Sequence, residues 1–242
     1  MKQISDFVKD VACRFASQLD SLLVEAYQLG SLAHGGFSPI YSDIDIGILL
    51  NCAAPPAGID ALIENAKNLD LEYGKKLSVF WGNPECSWGR LPVLDRLDLL
   101  DHGIPLVHNR KAEFSRPGKA KIHGELLKSI ERSWKPRIDE LRRLAVLDPA
   151  QRKPYIRAIL YSARLIYSWD CLAVDSNDRA VDYLRKIKPE GLDLEPIAVA
   201  LECRHDRCAA EDVFALKVDL DKQFDRTMGY ISGTYVPIGG SE

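Results

Sequence analysis

The chain has 242 residues, 46% of them apolar and 28% charged, long enough for one large domain or two modest ones with a real core. A formal net charge of -3 removes any general electrostatic case for a nucleic-acid partner. Apolar stretches fall short of the roughly 20 residues that span a bilayer, and the N-terminal MKQISDFVKDVACRF lacks the apolar core of a signal peptide, so a cytoplasmic protein with no membrane partner is expected.

Residues 5–18 carry apolar side chains at helical spacing, at Phe7, Val8, Val11 and Phe15. Asp20 and Ser21 interrupt, and residues 22–29 read as a strand. A Gly- and Ser-containing loop runs from Gly30 to Ser42, and residues 43–50 form the clearest strand in the chain. After a loop with two prolines, residues 59–71 read as an amphipathic helix, 77–81 as a third strand and 93–101 as a helix ended by Gly103. Residues 104–108 suit a short edge strand, where Pro105 is tolerable. Residues 110–119 contain Arg116-Pro117-Gly118 and read as a linker. Beyond it the pattern is helical. Residues 122–147 are one segment, with a break or kink at Pro136. Residues 154–172 follow, with Pro154 in the first turn and Ile156, Ile159, Leu160, Ala163, Ile166 and Tyr167 on one face. Segments 178–187, 194–203 and 211–231 complete the chain. The expected architecture is a mixed α/β domain over residues 1–112, then an all-α helical bundle over 120–235.

The six cysteines, at 13, 52, 86, 171, 203 and 208, are scattered. In a reducing compartment most of them read as small core residues. Cys203 and Cys208 have no second ligand pair nearby in sequence, which speaks against structural zinc.

Chemistry concentrates at residues 30–45. Asp43 and Asp45 alternate with Ile44 and Ile46, and side chains at i and i+2 of a strand share a face. Both carboxylates therefore project one way while the isoleucines face a core. Mg²⁺ takes oxygen ligands and commonly combines one or two carboxylates with substrate phosphates. Upstream, Gly30-Ser31 directly follows a strand, and its backbone N–H groups with the Ser31 hydroxyl suit a phosphate.

The run Gly30-Ser-Leu-Ala-His-Gly-Gly-Phe-Ser-Pro-Ile-Tyr-Ser-Asp-Ile-Asp45 resembles, position by position, the signature of the DNA polymerase β-like nucleotidyltransferase superfamily. That resemblance implies that Gly30, Ser31 and Ser42 bind a nucleoside triphosphate. It also implies that Asp43 and Asp45 are both catalytic residues and Mg²⁺ ligands. Further on, Ala163-Arg-Leu-Ile-Tyr-Ser168, Ala180-Val-Asp-Tyr-Leu184, Pro196 and Ala200-Leu-Glu-Cys-Arg204 resemble the helical domain of aminoglycoside 3''-type adenylyltransferases. ATP as nucleotide substrate and a small-molecule hydroxyl acceptor, aminoglycoside-like, are what this second resemblance implies.

The superfamily places a third acidic residue on the next strand. Here Ser78 falls at that position, and a serine without an activating partner is no useful base at neutral pH. Three explanations stay open. Glu72, Glu85 or Asp95 substitutes; positioning and metal electrostatics suffice; or the chain binds nucleotide with weak or lost transfer. A protein side chain as acceptor is a further alternative, which the helical segment in the same chain disfavours. Arg96, Asp98, Asp101 and His102 read as surface charges on their helix.

Overall fold

The computed structural model describes residues 3–85, 88–108 and 115–233. Close contacts divide the chain into two compact units, Met1–Phe37 with Ser42–Gly118, and Ser38–Tyr41 with Lys119–Glu242.

The first unit is built on a five-stranded sheet. Its strands are β1 (Leu23–Leu29), β2 (Ile44–Leu50), β3 (Leu77–Gly82), β4 (Gly89–Arg90) and β5 (Ile104–His108), in the order β4-β3-β2-β1-β5. Only β2 and β3 are parallel, and the helix α3 (Ile59–Lys67) makes the crossover that a parallel pair requires. Helix α1 (Ile4–Leu19) and α3 cover one face of the sheet. Phe7, Val8, Val11 and Phe15 meet Ile44, Ile46, Ile48 and Leu50 there, all essentially without exposure. On the other face Val24, Leu29 and Leu49 pack with Leu99 of α4 (Val93–His102). Strand β2 is therefore covered on both sides, which is why its sequence is nearly unbroken in apolar residues. Strand β5 is at the sheet edge, where the missing N–H of Pro105 costs no interior ladder bond. The two-residue strand β4 is too short to leave a periodic signal and was not anticipated from sequence.

The second unit is helical: α5 (Lys119–Ser129), α6 (Lys135–Leu141), α7 (Pro149–Cys171), α8 (Asn177–Ile187), α9 (Glu195–Arg204), α10 (Ala210–Ala215) and α11 (Leu220–Ser232). Helix α7 is central and touches each of the others. Ile156, Ile159, Leu160, Ala163 and Ile166 are buried along it, as the periodicity predicts, whereas Tyr167 is only half-buried.

Three sequence expectations need correction. Helix α7 begins five residues before Pro154. Asp148 caps it, with Gln151 returning a bond to the Asp148 N–H, and Pro149 holds the first position, leaving Pro154 inside the helix. The segment 122–147 ends its helix at Leu141 and contains a π-helical turn, Ile130–Trp134, just before Pro136. Residues 211–231 are two helices, because Lys217 adopts a left-handed φ of 47° and Asp219 caps a new start by accepting from the Lys222 N–H at 2.9 Å. The linker read over 110–119 lies partly outside the described residues; residues 115–118 have no regular structure. Among the described residues, no helix is long and apolar enough to cross a membrane.

Candidate active site

The sheet brings the motif residues together at one strand end. In the ladder Asp45 lies opposite Leu29 on β1 and opposite Ser78 on β3. Ile44 and Ile46 point into the α1/α3 core with no exposure, so Asp45 faces the α4 side, as its neighbour Gly47 does against Leu29 and Leu99. Asp43 precedes the strand by one residue and shares the parity of Asp45. Both aspartates are partly exposed, whereas Ser42 is buried just ahead of them.

Gly30 closes the site from the β1 side. Its φ is 63°, and a Cβ built on it would come within 2.2 Å of Asp45 Oδ2. The position needs glycine twice over, for its backbone conformation and because the carboxylate occupies the side-chain space. Gly30 opens the short helix α2 (Gly30–His34), which carries partly buried Ser31 on the following residue. Gly30, Ser31 and Asp45 are therefore neighbours, set by the register of two adjacent strands.

The Gly30 N–H donates to Asp98 Oδ2 of α4 at 2.6 Å. His34 Nε2 lies 3.9 Å from the other oxygen of Asp98, and the His34 and His102 rings meet edge-on with centroids 5.5 Å apart. Arg96 and Asp98 are only 5% and 6% exposed, which corrects the reading of this helix as a row of surface charges. The Arg96 guanidinium donates to the Ser115 carbonyl at 2.5 Å and to its hydroxyl at 3.2 Å, while Asp101 forms a bidentate pair with Arg116. One sequence signal existed: apolar residues at 93, 94, 97, 99 and 100 leave the helix no clean polar face.

Strand β3 carries no carboxylate; its sequence is Leu-Ser-Val-Phe-Trp-Gly, and partly exposed Ser78 stands beside Asp45. Of the substitutes considered, Glu72 and Glu85 are exposed, and Glu85 Oε2 accepts from Asn83 Nδ2 at 2.6 Å. Asp95 is half-buried on α4. Among the described residues, no three or more His, Cys, Asp and Glu side chains stand together as a metal cage. Asp43 and Asp45 fit Mg²⁺ on other grounds. They are partly exposed all-oxygen donors at and just before the start of β2, the missing Gly30 side chain leaves room for the Asp45 carboxylate, and magnesium needs only one or two carboxylates when phosphate oxygens complete its shell.

In the helical unit, polar side chains gather around Asp170. Its Oδ2 accepts from the Tyr183 hydroxyl at 2.8 Å and the Tyr230 hydroxyl at 2.7 Å. Burial, then the bond to Asp170, pushes the Tyr230 phenol up to about 12. Trp169 stacks on His123 with centroids 3.7 Å apart. Asp182 forms a surface pair with Arg185, and Arg157 and Arg164 are exposed. The sulfurs of Cys203 and Cys208 lie 2.7 Å apart, and burial pushes the Cys203 thiol up.

No protein-family model matches the chain, and no curated protein sequence is significantly similar to it. The fold does have a solved counterpart. Spectinomycin adenyltransferase AAD(9) from Enterococcus faecialis, whose crystal structure contains ATP and spectinomycin, is similar over 96% of this chain and 98% of that chain, with a TM-score of 0.56 and 13% identity. The chain thus shares its overall fold with that structure, a mixed α/β part with a five-stranded mixed sheet and a helical part.

Proposed function

We propose that the chain is a Mg²⁺-dependent nucleotidyltransferase that moves a nucleoside monophosphate, AMP from ATP, to a hydroxyl of a small, aminoglycoside-like acceptor. The acceptor oxygen bonds to the α-phosphorus, the bond to the β-phosphate breaks, pyrophosphate leaves and the hydroxyl proton passes to solvent or a nearby base. Asp43 and Asp45 hold the metal; Gly30, Ser31 and Ser42 hold the nucleotide. When bound, magnesium neutralises charge on the phosphates. The observation that carries this reading is the packing of Asp45 against Gly30, directly ahead of Ser31, within a fold shared with an adenyltransferase. Phosphoryl-type transfer rests mainly on positioning and electrostatics, so a strand-end carboxylate pair beside a Gly-Ser turn supplies much of what the reaction needs.

A second reading, nucleotide binding with weak or lost transfer, is favoured by one observation: Ser78 stands beside Asp45 where a base is expected. Pyrophosphate release, measured with each nucleoside triphosphate, Mg²⁺ and a panel of aminoglycosides and other polyhydroxylated metabolites, separates the two. Release with ATP and one acceptor class, lost in Asp45→Asn, is expected. Magnesium-dependent ATP binding without release would select the second reading. Equal magnesium-dependent affinity and rate in a folded Asp45→Asn variant would sink both.

A further inference from the structure

We propose that Asp98 is a positioning residue that clamps the Gly30-Ser31 turn; its relevance to nucleotide rests on the function proposed above. Asp98 is almost wholly buried, and its Oδ2 receives the Gly30 N–H in a short hydrogen bond of 2.6 Å. On its other side Gly30 has the Asp45 carboxylate, which fills the space of the missing side chain. One glycine is thus held between two carboxylates, one of them on a different element 68 residues away in the chain. Its left-handed φ of 63° needs such a hold, because a glycine is otherwise free to leave that conformation.

Stability alone does not account for this carboxylate. Asp98 Oδ1 is buried with no hydrogen-bond partner among the described residues, and His34 Nε2, at 3.9 Å, is beyond bonding distance. A buried carboxylate with one oxygen lacking a hydrogen bond costs stability that an apolar residue between Leu97 and Leu99 would not. What the carboxylate provides is geometry. It fixes the Gly30 amide, and with it the placement of Ser31 and the wall against which Asp45 rests. The Gly30 N–H is committed to Asp98, so Gly30 serves the nucleotide through its backbone conformation and not through its own amide, and Ser31 is the first residue of the turn left to bond phosphate.

Amide hydrogen exchange, read residue by residue, tests the clamp without any nucleotide. The Gly30 amide is expected to be protected in the unmodified protein to a degree comparable with β2. In Asp98→Leu that protection should fall while the amides of β2 keep theirs. Asp98→Asn retains an acceptor oxygen and should keep most of it. In titrations with Mg²⁺ and ATP, Asp98→Leu should bind roughly tenfold or more weakly, and Asp98→Asn should largely rescue binding. A Gly30 amide that exchanges like an open amide in the unmodified protein overturns the clamp, even if Asp98→Leu fails to fold. Equal loss of affinity in the Asn and Leu variants overturns the positioning role. An unmodified protein that shows a protected Gly30 amide but no magnesium-dependent ATP binding leaves the clamp standing and removes the functional reading instead.

Discussion

Ser78 and Asp45 are direct partners across the parallel β2–β3 ladder, so a substitution at one is felt at the other. Placing a second carboxylate there, as in Ser78→Asp, puts like charges side by side. Like charges on adjacent strands destabilise a sheet, and nearby ones also hinder each other's ionisation. A divalent cation reverses that sign, because a ligand that binds only the folded state stabilises it. We therefore expect Ser78→Asp to melt lower than the unmodified protein in the absence of divalent metal. It should gain more in melting temperature on adding Mg²⁺, and show stronger magnesium-dependent ATP binding or faster transfer. Thermal melts with and without Mg²⁺ read the sign directly. An identical magnesium increment in both proteins would count against the proposed metal role of Asp45 beside position 78.

At the scale of elements, the helical unit hangs on Trp134 at the end of the π-helical turn. Its indole N–H donates to the Ala158 carbonyl of α7 at 3.0 Å. Its ring meets Tyr161 of α7 and Phe224 of α11, with centroids 5.0 and 4.9 Å away. The side chain is 3% exposed, so Trp134→Ala removes a large ring from a filled space and leaves a carbonyl bond unmade. Such a truncation costs about 3–5 kcal/mol, and urea unfolding followed by helical circular dichroism should show a loss in that range. A loss under about 1 kcal/mol would show that the surrounding helices collapse readily into the space. The turn that positions Trp134 was legible only as a disturbance near Pro136, since a π-turn differs from a kink by where its bonds go. Strand β2 and helix α4 were legible because their apolar runs and Gly103 are local signals. That Asp45 faces away from the α1/α3 core followed from strand parity, a local signal as well, whereas its closeness to Gly30 comes from the β1–β2 register. Asp98 was not legible. The apolar spacing within 93–102 hints only that α4 lacks a clean polar face; that Asp98 meets the Gly30 N–H depends on α4 packing against β1, a tertiary fact the spacing does not encode. The two-residue strand β4 and the new start at Asp219 failed for the opposite reason: each is shorter than the window in which periodicity can be counted.

Across the whole molecule, the phenols form a common titration. Burial pushes Tyr155 up to about 12, and it packs edge-on against Phe214 with centroids 5.4 Å apart. Burial, then the Asp175 charge, pushes Tyr167 up to about 12, and burial with Asp170 does the same for Tyr230. Tyr161 and Tyr183 in the helical unit are raised too, and in the sheet unit burial and then Glu25 raise Tyr27, whose hydroxyl bonds that carboxylate. The sign follows from linkage. In the unfolded chain these phenols lose their protons near pH ~10; in the fold they keep them to higher pH. The folded state therefore binds more protons between the two values, and stability falls as pH rises through that window. The contribution is fully present below pH ~10 and is lost on the way to about 12 for Tyr155, Tyr167 and Tyr230. Phenolate absorbance measured against pH, in buffer and in concentrated urea, should show the native curve lagging well behind the unfolded one. Melting temperature should hold until pH ~10 and then drop, and Tyr155→Phe should reduce the drop, because the buried ring remains and the ionisable hydroxyl is gone. Coincident native and unfolded titration curves, in protein still folded by circular dichroism, would contradict this account. An undiminished alkaline drop in Tyr155→Phe would move the burden to the tyrosines around Asp170.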